Sequence, residues 1–114
     1  MKVLIIINDP PYGTERPYNA LRLAHALQTK ESDVTVFLMG DAVLGGKAGQ
    51  KTPDGYYNLE RMLKRITLQG RVLLCGTCLD ARGITSDEIV SGAERSTMDV
   101  LADATIMAEK VLVF

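Results

Sequence analysis

The sequence is poor in the residues that most readily announce a chemistry. It holds one histidine and two cysteines. A structural zinc site takes four ligands, so this chain cannot fill one by itself, and no metal is expected. A single histidine, His25, and no serine in a nucleophile-elbow setting remove a hydrolytic triad. Charge is equally balanced: 13 Lys and Arg stand against 14 Asp and Glu, a net of −1, with no acidic or basic block. Bulk electrostatics therefore offers little to nucleic acid or to an anionic membrane, and neither is expected as a direct partner. No apolar run approaches the roughly 18 residues of a membrane-spanning helix. The run Val3 to Ile7 is too short for a signal-peptide core and stops at Asn8-Asp9-Pro10-Pro11. A cytoplasmic location is expected, where two cysteines serve as free thiols, catalytic groups or ligands rather than as a staple.

What is present fits one globular domain spanning residues 1–114, 46% hydrophobic and 24% charged. Val3 to Ile7 is a continuous apolar and β-branched run, the pattern of a strand covered on both faces. Pro17 suits a first helical turn, and Tyr18, Leu21, Ala24 and Leu27 continue at helical spacing to about Thr29. Val34 to Met39 reads as a second strand. The glycine-rich stretch from Gly40 to Gly55 reads as a mobile connection with a short turn at Asp41 to Leu44. Leu59, Met62, Leu63 and Ile66 mark a second helix that stops at Gly70. Arg71 to Cys75 is the third strand, followed by a tight segment from Gly76 to Gly83. Thr85 with Glu88 forms a capping box for a short helix. Ala93 to Arg95 is a weak fourth strand. Ser96 with Asp99 caps a last helix whose inner stripe is Met98, Leu101, Thr105 and Ile106, and Val111 to Phe114 closes the pattern as a strand. Strands alternating with helices imply an α/β fold, a parallel sheet with helices on both faces. Ligand sites in such sheets lie beyond the carboxyl ends of the strands. The segments 8–15, 40–46 and 75–83 all leave those ends and are expected to converge on one crevice.

The one chemical motif is Cys75-Gly76-Thr77-Cys78, a C-x-x-C where a strand gives way to a loop. A reactive thiolate needs positive potential nearby to lower its pKa from about 8.5. Arg82, four residues beyond Cys78, is the candidate cation, and the backbone amides of Gly76, Thr77 and Cys78 are candidate donors. The plain alternative is that Cys75 packs as a small hydrophobe. A thioredoxin-like dithiol is disfavoured by order, because all four prolines precede the motif. Sulfur carriage, in which a thiolate accepts a sulfane sulfur as a persulfide and passes it on, needs only one nucleophilic cysteine reachable by a partner.

Further motifs fall in register around that pair. Pro11-Tyr12-Gly13, Glu15, Leu21-Arg22-Leu23-Ala24, Phe37-Leu38-Met39, Asp41-Ala42-Val43, Gly49-Gln50-Lys51, Gly55-Tyr56, Met62-Leu63, Cys75 through Ile84 and Lys110-Val111-Leu112 run end to end. Together they resemble the DsrE/DsrF-like family, and most closely its YchN-like branch; the Cys-x-Thr-Cys-x-Asp-x-Arg-Gly-Ile stretch is the specific part. The resemblance implies a three-layer α/β/α sandwich with a mainly parallel five-stranded sheet, assembled as a homotrimer or as a hexamer of two stacked trimers. It implies a sulfur-relay role between a sulfur donor and an acceptor protein, with no cofactor, and it sets the carrier position on Cys75.

Other residues carry two readings each. Tyr12, Gly13 and Glu15 follow the first strand and are candidates to line the thiol crevice. Their alternatives are packing for Tyr12, a tight turn for Gly13 and a first-turn acid for Glu15. Asp80 is a functional acid or a local backbone cap; Arg82 supports a thiolate or makes an intersubunit ion pair. His25 reads as a packed or interface residue. Gly40 to Lys47 invites a phosphate-loop reading, but Asp41 and Ala48 occupy positions where that motif needs Gly and Ser or Thr. Two other functions stay open: an oligomeric module that binds a small ligand or a protein, and a dithiol/disulfide switch across Cys75 and Cys78.

Overall fold

The computed structural model describes all 114 residues. Five strands form one sheet: β1 (Lys2–Ile7), β2 (Asp33–Leu38), β3 (Arg71–Cys75), β4 (Glu94–Ser96) and β5 (Lys110–Val113). Their order is β4-β3-β2-β1-β5, and every pairing is parallel. Four helices connect them: α1 (Arg16–Thr29), α2 (Leu59–Thr67), α3 (Gly76–Ala81) and α4 (Met98–Met107). The chain steps outward from β1 to β4 and then returns across the sheet to β5. Because parallel crossovers are right-handed, that reversal sets α4 on the face opposite α1 and α2. The result is the expected three-layer α/β domain.

The central strands are apolar on both faces because both are covered. Val3, Leu4, Ile5 and Ile7 of β1, Val34, Val36, Phe37 and Leu38 of β2, and Val72, Leu73 and Leu74 of β3 are all buried. Ala20, Leu21 and Ala24 of α1 and Leu59, Leu63 and Ile66 of α2 close one face. Gln28, also buried, donates from Nε2 to the carbonyl of Ile66 at 2.9 Å, satisfying a carbonyl in the last turn of α2. Gly70 does more than stop that helix. A Cβ there would lie 2.3 Å from the Val34 carbonyl oxygen, so the chain can enter β3 this close to β2 only without a side chain.

One expectation is extended and four are corrected. The short turn expected at Asp41 to Leu44 is present and longer, a 3₁₀ turn over Gly40–Gly46 with Ala42, Val43, Gly45 and Gly46 buried. Gly46 faces Leu74 so closely that a Cβ would meet its Cδ2 at 2.7 Å. The segment after Cys75 is helical over Gly76–Ala81, while the Thr85 capping box opens only a single 3₁₀ turn, Ser86–Glu88. Thr97, not Ser96, caps α4, its side chain accepting from the Val100 N–H. The inner stripe of α4 is also shifted. Leu101 is buried and Val100, Ala104 and Ala108 are half-buried, whereas Met98 and Ile106 point outward, Ile106 with 82% of its surface exposed.

Candidate functional site: the Cys75–Cys78 thiol pair

β3 delivers Cys75 to the carboxyl edge of the sheet, where it pairs in register with Ser96 of β4. Only 6% of Cys75 is exposed. The chain turns into α3 at once, which returns Cys78 to the same edge, half-buried. Both thiols are free. The Gly40 N–H donates to Cys78 Sγ at 3.1 Å. Gly40 can offer that donor because it adopts a φ of +57°, a conformation glycine takes without strain. The 40–46 turn thus converges on the thiol segment as the sheet geometry predicts.

Electrostatics around the pair is asymmetric. Burial pushes the Cys75 thiol up from its ordinary value, and the adjoining Cys78 thiol pushes it further. The backbone N–H groups of Cys78 and Thr77 act in the opposite sense, as donors to a thiolate. A cation near this end of the sheet is Arg95 of β4, whose own pKa is raised by Asp80 first and by Cys75 as a smaller contribution, although Arg95 is not among the groups that shift the Cys75 thiol. Asp80 grips that guanidinium with both oxygens, at 2.9 and 2.6 Å, and its carboxyl is held below the usual range as a result. Asp80 is therefore an ion-pair partner and not a backbone cap.

Arg82 has a different task from the one its spacing suggests. Its Nη1 donates to the Cys78 carbonyl at 3.0 Å, and its Nη2 and Nε donate to Asp41 Oδ1 at 2.7 and 3.2 Å. It ties α3 to the 40–46 turn, and so positions Gly40 against Cys78. Arg95 escaped the sequence reading because it lies far along the chain from the motif. The register of β4 on β3 pairs Arg95 with Leu74, and its guanidinium reaches Asp80 and the backbone of Gly76 beside the thiol segment.

The segment after β1 turns elsewhere. The Tyr12 hydroxyl donates to Gln50 Oε1 and accepts the Leu59 N–H at 3.0 Å, and its ring stacks on Tyr57. The left-handed backbone of this loop falls on Tyr12 itself, at φ 65°, and not on Gly13, which packs beside Pro10. Glu15 stands at the N-cap of α1 without a capping bond and faces Tyr57. Thr77 is exposed and Gly76 buried on the thiol side. None of the chain's three clefts includes either sulfur, so the thiols sit at a surface edge and not in a deep crevice.

With the C-x-x-C set at the end of β3 in this sheet, the family is decided by a match of the DsrE/DsrF-like model to residues 1–114. The chain belongs to the DsrE/DsrF-like family. Protein YchN of Escherichia coli strain K12 is 47% identical, with 99% of this chain and 98% of that protein covered. The crystal structure of the E. coli ychN protein superposes with a TM-score of 0.94 at 45% identity, covering 100% of this chain and 99% of that one. Sulfurtransferase TusD of Salmonella typhi is 25% identical over the whole of both chains. In this DsrE/DsrF-like domain no helix is long and apolar enough to cross a membrane, and no group of three or more His, Cys, Asp or Glu side chains is arranged to hold a metal ion.

Proposed function

We propose that the protein is a sulfur carrier, taking a sulfane sulfur onto the Cys75–Cys78 pair and handing it to an acceptor protein. A thiolate of the pair attacks the terminal sulfur of a donor persulfide. The new S–S bond forms on the carrier as the donor's S–S bond breaks, and the donor leaves as its thiolate. No external oxidant enters, and the second transfer repeats the exchange onto the acceptor. The observation that carries this reading is the meeting of two free thiols with backbone donors: the Gly40 N–H at Cys78 and the N–H groups of Thr77 and Cys78 at Cys75. A persulfide is a stronger acid than a thiol, and these donors favour its anion. The sulfurtransferase among its relatives supports the same chemistry.

The two cysteines have separate merits. Family resemblance favours Cys75 as carrier; exposure favours Cys78. Sulfur donor and acceptor proteins follow as partners. Assembly into a homotrimer or hexamer belongs to the same proposal, supported by the outward Ile106 and Met107 of α4 and by Val113 of the edge strand β5, which a second copy would cover. No metal or organic cofactor enters the scheme.

The test is intact-mass measurement after incubation with a cysteine desulfurase and cysteine. One added sulfur, released by reductant and absent from either Cys75→Ser or Cys78→Ser, is the expected result. A protein whose thiols alkylate normally yet never gains sulfur is no carrier. The contact between the two thiols favours one second reading, a dithiol/disulfide switch; titration against defined thiol buffers distinguishes it by a reversible two-electron couple.

A further inference from the structure

The chain has seven arginines. Arg16, Arg71, Arg82 and Arg95 are each paired with a carboxylate. The other three, Arg22, Arg61 and Arg65, are not, and all three line one cleft of about 450 Å³ between α1 and α2. No Asp or Glu lines it, although Glu15 lies close enough to Tyr57 to raise its pKa. Arg61 and Arg65 are one turn apart on α2, where like charges repel. Arg65 is in the last turn and complements the helix dipole, but Arg61 has no such compensation. A protein of net charge −1 has thus gathered its unpaired guanidinium groups around a single concavity.

Three tyrosines, Tyr18, Tyr56 and Tyr57, share the lining with Leu21, His25, Asn58 and Met62. Tyr18 and Tyr57 stack at 4.1 Å between ring centroids, Tyr12 extends the stack behind Tyr57 at 5.5 Å, and the Arg22 guanidinium lies 5.3 Å from the Tyr18 ring. These rings are already engaged and form a rigid wall. Tyr56 is not: it lines the same cleft with 71% of its surface exposed. A free aromatic face beside unpaired guanidinium groups suits a ligand with a planar ring and a phosphate, since guanidinium binds phosphate through paired N–H donors and a tyrosine ring stacks on a base. The volume is within the range of small-molecule sites.

We infer that the α1–α2 cleft binds a free mononucleotide, its phosphate held by Arg61 and Arg65 with Arg22, and its base stacked on Tyr56. A free nucleotide is favoured over a nucleic acid strand because the unpaired arginines are confined to this cleft and the chain has no basic block to follow a phosphate backbone. This site is independent of the thiol pair and of its proposed function.

The experiment is calorimetric titration of the full-length protein with AMP, with adenosine, inorganic phosphate and a short single-stranded oligoadenylate as separate arms. AMP is expected to bind saturably. Adenosine and phosphate, each lacking half of the recognised chemistry, should bind about tenfold more weakly or less. Arg61→Ala with Arg65→Ala, and separately Tyr56→Ala, should each weaken AMP about tenfold while circular dichroism stays unchanged, since all three side chains are exposed. The inference is overturned if AMP does not saturate, if phosphate binds as tightly as AMP, if the variants bind AMP unchanged, or if the oligoadenylate binds more tightly per site than AMP.

Discussion

Arg95 lies against the backbone of Gly76. A Cβ built on Gly76 would sit 3.0 Å from both Cζ and Nε of Arg95 and 3.0 Å from the carbonyl oxygen of Ser96. The absence of a side chain at this position is what lets a guanidinium approach the strand end that carries Cys75. Gly76→Ala should therefore destabilise the fold by roughly 1–2 kcal/mol through overpacking. Arg95→Ala in the same chain should relieve only part of that, because the Ser96 carbonyl is backbone and cannot swing away. Urea unfolding of the two single variants and the double variant measures the coupling; strict additivity would show that the guanidinium does not press on Gly76.

The two thiols should differ in reactivity. Cys75 is nearly inaccessible and its thiol is pushed up by burial, whereas Cys78 is half-exposed. Alkylation with iodoacetamide near neutral pH, followed by peptide mapping, should label Cys78 first and Cys75 only as fast as the edge opens. Labelling of Cys75 ahead of Cys78 would contradict the burial that this packing imposes.

Alkaline pH should weaken the fold through Cys75. Its thiol titrates higher in the folded chain than in the unfolded one. Above the free-thiol value of about 8.5 the unfolded chain loses this proton while the folded chain keeps it, so stability is full below that pH and falls as pH rises toward the folded value. Denaturation midpoints compared between about pH 7 and 10 should drop more steeply for wild type than for Cys75→Ala. Parallel profiles would mean that the thiol titrates alike in both states.

Two glycines separate close approach from backbone strain. At Gly70 an added Cβ meets the Val34 carbonyl oxygen at 2.3 Å and Gln28 Nε2 at 2.8 Å. Gly70→Ala should cost about 3 kcal/mol, the upper end for overpacking, because β2 and β3 must separate. Gly83 has a φ of +65° with nothing within 4 Å, so Gly83→Ala should cost only the left-handed conformation, about 1 kcal/mol. Thermal melts of the pair give the ordering, and a reversed order would discard the steric account of Gly70.

Periodicity and local chemistry suffice for those parts of the chain where neighbours in sequence are also neighbours in space. The apolar runs of β1, β2 and β3, the helical spacing of α1 and α2, and the Thr85–Glu88 capping box are all of this kind. The C-x-x-C motif and its location at a strand end belong with them, and so does membership of the DsrE/DsrF-like family. α3 was hidden because six residues give too little periodicity to tell a helix from a turn. The turn at Asp41 to Leu44 was legible, but its extent to Gly46 was hidden because glycine-rich composition reports conformational freedom, while the contact of Gly46 with Leu74 removes it.

The sequence by itself determined the class of fold, its strand-helix alternation and the thiols as the candidate chemical centre, because hydrophobic period and residue type are local properties. Tertiary structure alone decided that Arg95 pairs with Asp80 and lies against Gly76 beside the thiols, a placement that spacing along the chain does not reveal. It alone decided that Arg82 braces Asp41 and the Cys78 carbonyl. It also gathered the unpaired arginines of two helices into one cleft. Charge balance is a sum over the chain, and a site depends on where in space those charges are brought together.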